Sequence, residues 1–486
     1  MTRLLVSERP AGYPVDAGMG VAHAGGARPH LTLVAASPSA APVLREEELT
    51  QLWEGQRFPP GALSTRRGEA LQVVYRGRRS PGAGPDFADA IIADERGRLL
   101  KGDVELHVRA SDFRGHGHHH DTRYDNLVLH VVFEDDEGED TRLLSGRRVA
   151  VVALAPWVAR REEQLRLWLA QPALWEEPCR GAVARLGETE VRETVSRLGR
   201  LRFQQKQSRF AAALGRAGAS QVYYEGLLRA LGYSQNAESF AALARLLPYE
   251  RLRTALAAAD GLVRGEALLL GAAGLLPGQR DPVLPPAPYL RELERRWAEE
   301  RERLPLSVSL CATSGLRPAN QPARRLAGAA RLLLRRGPSL VGSLRELMTV
   351  GEKGSLCRLV EGWEVPAEGF WSTHYDPGAG SAGPLGALIG RGRALELLIN
   401  VVLPFAAAWG EARGLTALSQ QALALFQRLP RSGSYGPVRF LESSLISRGG
   451  GWSACCQQGL LYLYHQYCTQ GGCGACPLSR DEGYEG

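Results

Sequence analysis

The sequence predicts two units in series: an α/β unit over residues 44–156 and a large, mainly α-helical unit over residues 157–486. Three observations predict it. At 486 residues the chain is too long for one ordinary core. Apolar and polar residues alternate in "GDVELHVR", and "FADAIIAD" and "LVLHVVFE" beside it are short apolar runs of strand length. After Trp157 this pattern gives way to helical periodicity, as in "VRETVSRLGRLRFQQKQSRFAAAL" and "ALELLINVVLPFAAAWG", with breaks at Gly and Pro.

The elements follow in order. Residues 1–43 are rich in small residues, Pro and Gly without the charged-then-apolar order of a signal peptide, and are expected to be disordered or an over-extended start. In "LREEELTQLWEGQRF" the residues Leu49, Leu52 and Trp53 fall at helical spacing, which predicts a helix stopped by Pro59 and Pro60. "ALQVVYRG" predicts a strand, and two acidic strands around Ile91 and Val104 follow, joined by the turn "DERGR". "GHGHHHDTRYDN" is expected to be a short helix or loop. "LVLHVVFE", Leu127 to Glu134, returns to a strand, and another near "RRVAVVALA" closes the unit. Within the helical unit "GLLPGQRDPVLPPAP" is the clearest loop.

Composition narrows the function classes. The formal charge is +7, but Lys101, Lys206 and Lys353 are the only lysines among 59 basic residues. That arginine skew, with abundant Ala and Gly, is that of a GC-rich genome, so the charge permits a nucleic-acid partner without arguing for one. No stretch of about 18 apolar residues runs free of charge, Pro or Gly, so no membrane partner is expected. Eight cysteines in so long a chain fit a reducing cytoplasm better than a disulfide framework.

Strand alternation puts Asp103, Glu105 and His107 on one face, and Gly102, Val104, Leu106 and Val108 on the other. Mg²⁺ or Mn²⁺ takes hard oxygen ligands, usually one or two carboxylates with water and phosphate. Asp86, at the mouth of the preceding strand, and Glu105 supply such carboxylates. Pro85 would hold the turn into that strand and Gly84 would admit a close backbone approach. His107 shares the face of Glu105 as a base, ligand or phosphate contact. The competing reading is the solvated face of an antiparallel hairpin.

"HGHHHD", His116 to Asp121, has imidazoles suited to Zn²⁺, but adjacent histidines seldom converge on one ion. The expectation is a polar loop with His116 or His120 near phosphate, and His130 as a satisfied, partly buried side chain. Near the C-terminus Cys468, Cys473 and Cys476 stand at metal-ligand spacing among glycines. A fourth ligand is needed for Zn²⁺ or a [4Fe–4S] cluster, and His465 and Cys179 are the candidates. Cys455 and Cys456 lie about 18 to 20 Å further along the same helix and are set aside.

"PD" followed by a Glu-x-basic triplet, in a helix, three-strand, helix, strand order, resembles the restriction-endonuclease-like PD-(D/E)xK nuclease superfamily. The resemblance implies a restriction-endonuclease-like fold for 44–156, metal roles for Asp86 and Glu105, and His107 standing where that family has Lys. It also implies an acid from the first helix, Glu48 or Glu54. Some members hold a [4Fe–4S] cluster on one early and three late cysteines, a plan that Cys179 and the three C-terminal cysteines resemble. "LWEGQRF", "GPDFADA", "YDNLVLHVVFE", "LGYSQNAESFAALA" and "WSTHYD" resemble the bacterial family called domain of unknown function 2851, which implies no activity. The function expected is metal-dependent cleavage of DNA or RNA, with catalytic Asp86, Glu105 and His107. The alternative is a non-catalytic nucleic-acid-binding or scaffold protein, which the missing Lys favours.

Overall fold

The computed structural model describes residues 44–56, 63–80, 84–158, 169, 179, 181–280, 287–303, 311–313, 316–337, 339–350, 353–433, 435–445, 452–470 and 472–479. Residues 1–43, Pro59 and Pro60 lie outside them.

Helix α1, Glu46–Gly55, buries Leu49, Leu52 and Trp53 as its spacing predicts, and ends where Gln56 turns left-handed at φ 44°. The Trp53 indole donates to the Arg76 carbonyl at 3.0 Å, which fixes the helix against the sheet. The sheet is built from β1 (Leu71–Tyr75), β2 (Arg78–Arg79), β3 (Phe87–Asp94), β4 (Leu99–Arg109), β5 (Leu127–Glu134) and β8 (Val151–Ala153). Its order is β1-β3-β4-β5-β8 with β2 also paired to β3. The β1, β3 and β4 pairings are antiparallel, and those of β4, β5 and β8 are parallel. A small ladder of β6 (Thr141–Arg142) and β7 (Arg148–Val149) stands beside it. Gly102 permits the β4–β5 approach, since a Cβ there would run into the Asn126 carbonyl and Val128.

The parallel β4–β5 pair requires a crossover. Helix α2, Asp112–Gly115, and 3₁₀ turns at His118–His120 and Thr122–Tyr124 provide it. This crossover overturns the solvated-hairpin reading. It covers the face of β4 that carries Glu105 and His107, which are 4% and 1% exposed, while the core that includes Trp53, Phe87, Val104 and Leu106 fills the other face.

From residue 181 the described chain is mostly helical. The long helix Glu188–Leu214 is its spine, and the helix Ala454–Gln466 lies directly against it. Gly199 and Gly459 make that contact: a Cβ on Gly199 would strike the Cys455 carbonyl, and one on Gly459 the Val195 carbonyl. The run Arg391–Ala412 is long and apolar enough to cross a bilayer, yet 78% of its most apolar window is buried inside the protein. Of the expected internal loop, Pro277–Arg280 is helical and residues 281–286 lie outside the described residues.

The two parts meet at β3. A bulge between Phe87 and Ala90 holds Asp89 at φ +58°, and its backbone NH donates to Asp103 Oδ1 at 3.0 Å. Tyr464 donates its hydroxyl proton to Asp89 Oδ2 at 2.6 Å and accepts from Arg78 at 3.1 Å. Arg78 also pairs with Asp89 and lies over the rings of Phe440 and Tyr464, at 4.6 and 4.7 Å.

Candidate functional site

Asp86 and Glu105 are joined reciprocally across the β3–β4 pair. The Asp86 NH donates to Glu105 Oε2 at 3.0 Å, and Asp86 Oδ2 accepts from the Leu106 NH at 2.9 Å. Burial, then the Asp86 charge, push the Glu105 carboxyl up to about 9, and burial also raises Asp86. The charge of Glu46 raises both. Glu46 is therefore the α1 acid whose charge reaches both carboxylates. Glu48, expected there, accepts from the Arg45 NH at 2.8 Å, and Glu54 pairs with Arg79 at 3.8 Å. The side chain α1 offers depends on how the helix is rolled by its Trp53 contact, which spacing alone does not set. Gly84 is also corrected. A Cβ there meets nothing within 4 Å, so its role is its φ of +128° and not a close approach.

Asp103 leaves this group. Its carboxylate serves the Asp89 bulge and faces the helical part. Among the described residues no Lys or Arg is ion-paired to Asp86 or Glu105, so the buried Glu105 and the half-buried Asp86 lie together without a paired cation.

Imidazoles fill the space beyond Glu105. His107 Nε2 stands 3.2 Å from His116 Nδ1 and 3.7 Å from Glu105 Oε1, and His118 Nε2 stands 3.4 Å from that same oxygen. Donors at about 2.0 to 2.1 Å from one tetrahedral ion lie roughly 3.3 Å apart, so the three imidazoles are spaced as ligands of one ion, with Glu105 Oε1 beside two of them. The ligand atoms of His107, His116 and His118 all lie within 4.8 Å of one another. A chain behind them sets the rings: His107 Nδ1 meets His130 Nε2 at 3.0 Å, and His130 Nδ1 meets Thr141 Oγ1 at 2.6 Å. His130 is fully buried with both nitrogens engaged. Burial lowers His130 to about 3 and His107 still further, so both rings are neutral.

That neutrality corrects His107 as a substitute for a catalytic Lys. It supplies no positive charge, and its Nε2 faces His116 and Glu105. The two histidines expected near phosphate part company. His116 joins the cluster, whereas His120 packs its ring on His119 at 3.8 Å. His118 was missed. Its ring stacks on Tyr124 at 4.2 Å and meets Phe113 edge-on at 5.4 Å, and the buried Phe113 and Tyr124 form the platform that turns it toward Glu105. The period of "HGHHHD" carries no such signal, although the aromatic residues flanking it in sequence do.

A second cluster lies where the two parts meet. Cys179, Cys468, Cys473 and Cys476 line one small, mostly enclosed cavity, with Tyr75 of β1 and Phe440 in its wall. Cys468 is held well above the ordinary thiol range by burial, and the other three sulfurs raise it further against the charge of Arg78. Cys179 therefore converges with the late trio across the length of the helical part. His465 is exposed on the outer face of its helix and does not line the cavity. Cys455 and Cys456 are spent on Ser196, Cys455 at its carbonyl and Cys456 at its hydroxyl.

A family model described as "Protein of unknown function (DUF2851)" matches residues 46–434, which include every carboxylate and imidazole of the first cluster and end before Cys468. No curated protein and no solved structure matches the chain.

Proposed function

From the premise that the chain belongs to the DUF2851 family, we propose that it is a metal-dependent nuclease cleaving phosphodiester bonds in DNA or RNA. The observation that carries this reading is a buried carboxylate, Glu105, standing 3.4 and 3.7 Å from the imidazoles of His118 and His107, with no Lys or Arg paired to it among the described residues. Such a set is stabilised by a metal ion in place of a proton. Three nitrogens and one oxygen suit Mn²⁺ or Zn²⁺ better than Mg²⁺, and the carboxylate side formed by Asp86, Glu105 and Glu46 also suits Mn²⁺. When bound, the ion supplies an acidified water and Lewis acidity toward a phosphate oxygen.

The chain's own side chains do the rest. His107, His116 and His118 would hold the ion with Glu105 at its side, and His130 with Thr141 would fix the His107 tautomer. Asp86 orients Glu105 through its backbone NH and extends the negative wall. His116 is exposed and His118 half-buried, so substrate approaches from the crossover side. The antiparallel-then-parallel strand order, with an acid at the mouth of β3, supports kinship with the restriction-endonuclease-like fold. The cysteine pocket would hold Zn²⁺ or a [4Fe–4S] cluster in a structural role.

The test is cleavage of single-stranded and duplex DNA and RNA by purified protein with Mn²⁺, Zn²⁺ or Mg²⁺. Glu105→Ala and His118→Ala should each abolish detectable cleavage while leaving the circular-dichroism spectrum unchanged. A folded wild-type protein with both clusters loaded and no cleavage would sink the proposal and leave a nucleic-acid-binding or scaffold role.

A further inference from the structure

The helical part contains a half-open cleft of about 1040 Å³ that the metal cluster does not use. Its walls carry six basic side chains, Arg202, Lys206, Arg209, Arg216, Arg393 and Arg229, the last already paired with Glu238, against two acids, Glu225 and Glu396. Neither acid answers the exposed cations. Glu225 pairs with Arg245 outside the cleft, and Glu396 accepts from Asn400, Ser432 and Tyr435. Among the described residues Arg209 and Arg216 have no carboxylate partner. They are exposed, and Arg202, Lys206 and Arg209 follow one face of the long helix at spacings of four and three.

The floor of the cleft is built. Lys206 Nζ donates to Asn400 Oδ1 and Gln458 Oε1, both at 2.6 Å, and Arg202 donates to the same Gln458 oxygen at 3.0 Å. These acceptors are neutral amides that orient both side chains; burial and then Arg202 hold Lys206 well below the ordinary ammonium range, and a phosphate entering the cleft would restore its charge. Asn400 lies in a π turn, Leu398–Val402, of the kind often found at functional sites. Opposite, Tyr233 is held at φ +56°, a left-handed conformation disfavoured for a bulky residue. Its ring lies 3.3 Å from the Arg393 guanidinium and 5.0 Å from that of Arg325. Arg393 Nε is buried and makes no hydrogen bond. Phe210 and small apolar residues complete the lining.

We propose that this cleft binds a nucleoside phosphate, its phosphates against the arginines and Lys206 and its base against the apolar wall at Phe210. The volume is at the upper end for a small ligand and sufficient for a nucleotide. Fixed cations beside an aromatic wall are the arrangement that recognises phosphate and base together. The nucleoside phosphate is a free nucleotide or one unit of a single strand, and the two sources share this chemistry. The inference goes beyond the nuclease reading and stands without it, because none of these residues belongs to the metal cluster.

The test is titration of the full-length protein, without added divalent metal, with AMP, ATP, a short single strand of about eight nucleotides and inorganic pyrophosphate. AMP or ATP binding assigns the site to free nucleotides, and binding of the strand alone assigns it to nucleic acid. Either should weaken about tenfold or more in Arg209→Glu/Arg216→Glu, with a shallower salt dependence, and be retained in Arg209→Lys/Arg216→Lys. Both positions are exposed, so the variants should fold. Absence of binding by all four probes, affinity for pyrophosphate equal to that for the nucleotides, or affinity unchanged by the double Glu substitution would each overturn the proposal.

Discussion

With Glu105 pushed up to about 9 by burial and Asp86, the metal-free folded protein keeps a proton that the unfolded chain releases near 4.5. Between those values the folded state binds more protons than the unfolded one. The contribution to stability is full below the lower value and is lost as pH rises toward the upper one. On the proposed metal role an ion would replace that proton, so the rise in melting temperature on adding Mn²⁺ should grow from about pH 5 to about pH 9. Melts of metal-free and loaded protein across that range check it, and a Mn²⁺ effect independent of pH would remove Glu105 from the ligand set. Asp86 and Glu105 are legible in the sequence because strand alternation and a Pro-Asp turn place them on neighbouring strands. His118 is not, since its direction is set by Phe113 and Tyr124 beneath the crossover, and neither Glu46 nor the roll of α1 follows from apolar spacing.

At the scale of elements, the contact of the long helix with the helix Ala454–Gln466 is set by two glycines. Gly459→Ala forces a Cβ into the Val195 carbonyl, and overpacking of this kind costs about 1 to 3 kcal/mol. Denaturant unfolding should show a lower midpoint with an unchanged slope, and a midpoint equal to wild type would mean that the helices separate freely. The strands and helices themselves were readable from their periodicities. Less readable was the burial of both faces of β3 and β4, where Ile91, Ile92 and Ala93 are buried in succession. One polar face of β4 looks solvated in sequence because its cover is a short, His-rich crossover that shows no apolar period.

In the whole molecule the cysteine cavity is shared between the two parts, since Tyr75 of β1 lines it and Arg78 acts on Cys468. On the structural-metal role proposed for the cavity, Cys468→Ser should cost the protein its Zn²⁺ or cluster and lower the melting temperature by on the order of 5 °C or more. It should also speed hydrogen exchange in β3, where Tyr464 holds Asp89. Loss of metal with β3 exchange unchanged would show that the two parts are mechanically separate. The division into an α/β part and a helical part could be read from the sequence. Their joint could not, because Asp89 and Tyr464 stand 375 residues apart and neither belongs to a motif. That separation has a meaning in time. At about 5 to 20 residues per second, Asp89 leaves the ribosome roughly 20 to 75 s before Tyr464. Throughout that interval the nascent sheet carries its left-handed bulge without the tyrosine that clamps it, three residues from Asp86. The carboxylate and imidazole cluster of a growing chain is thus expected to stay slack, and to tighten only when the late helix arrives.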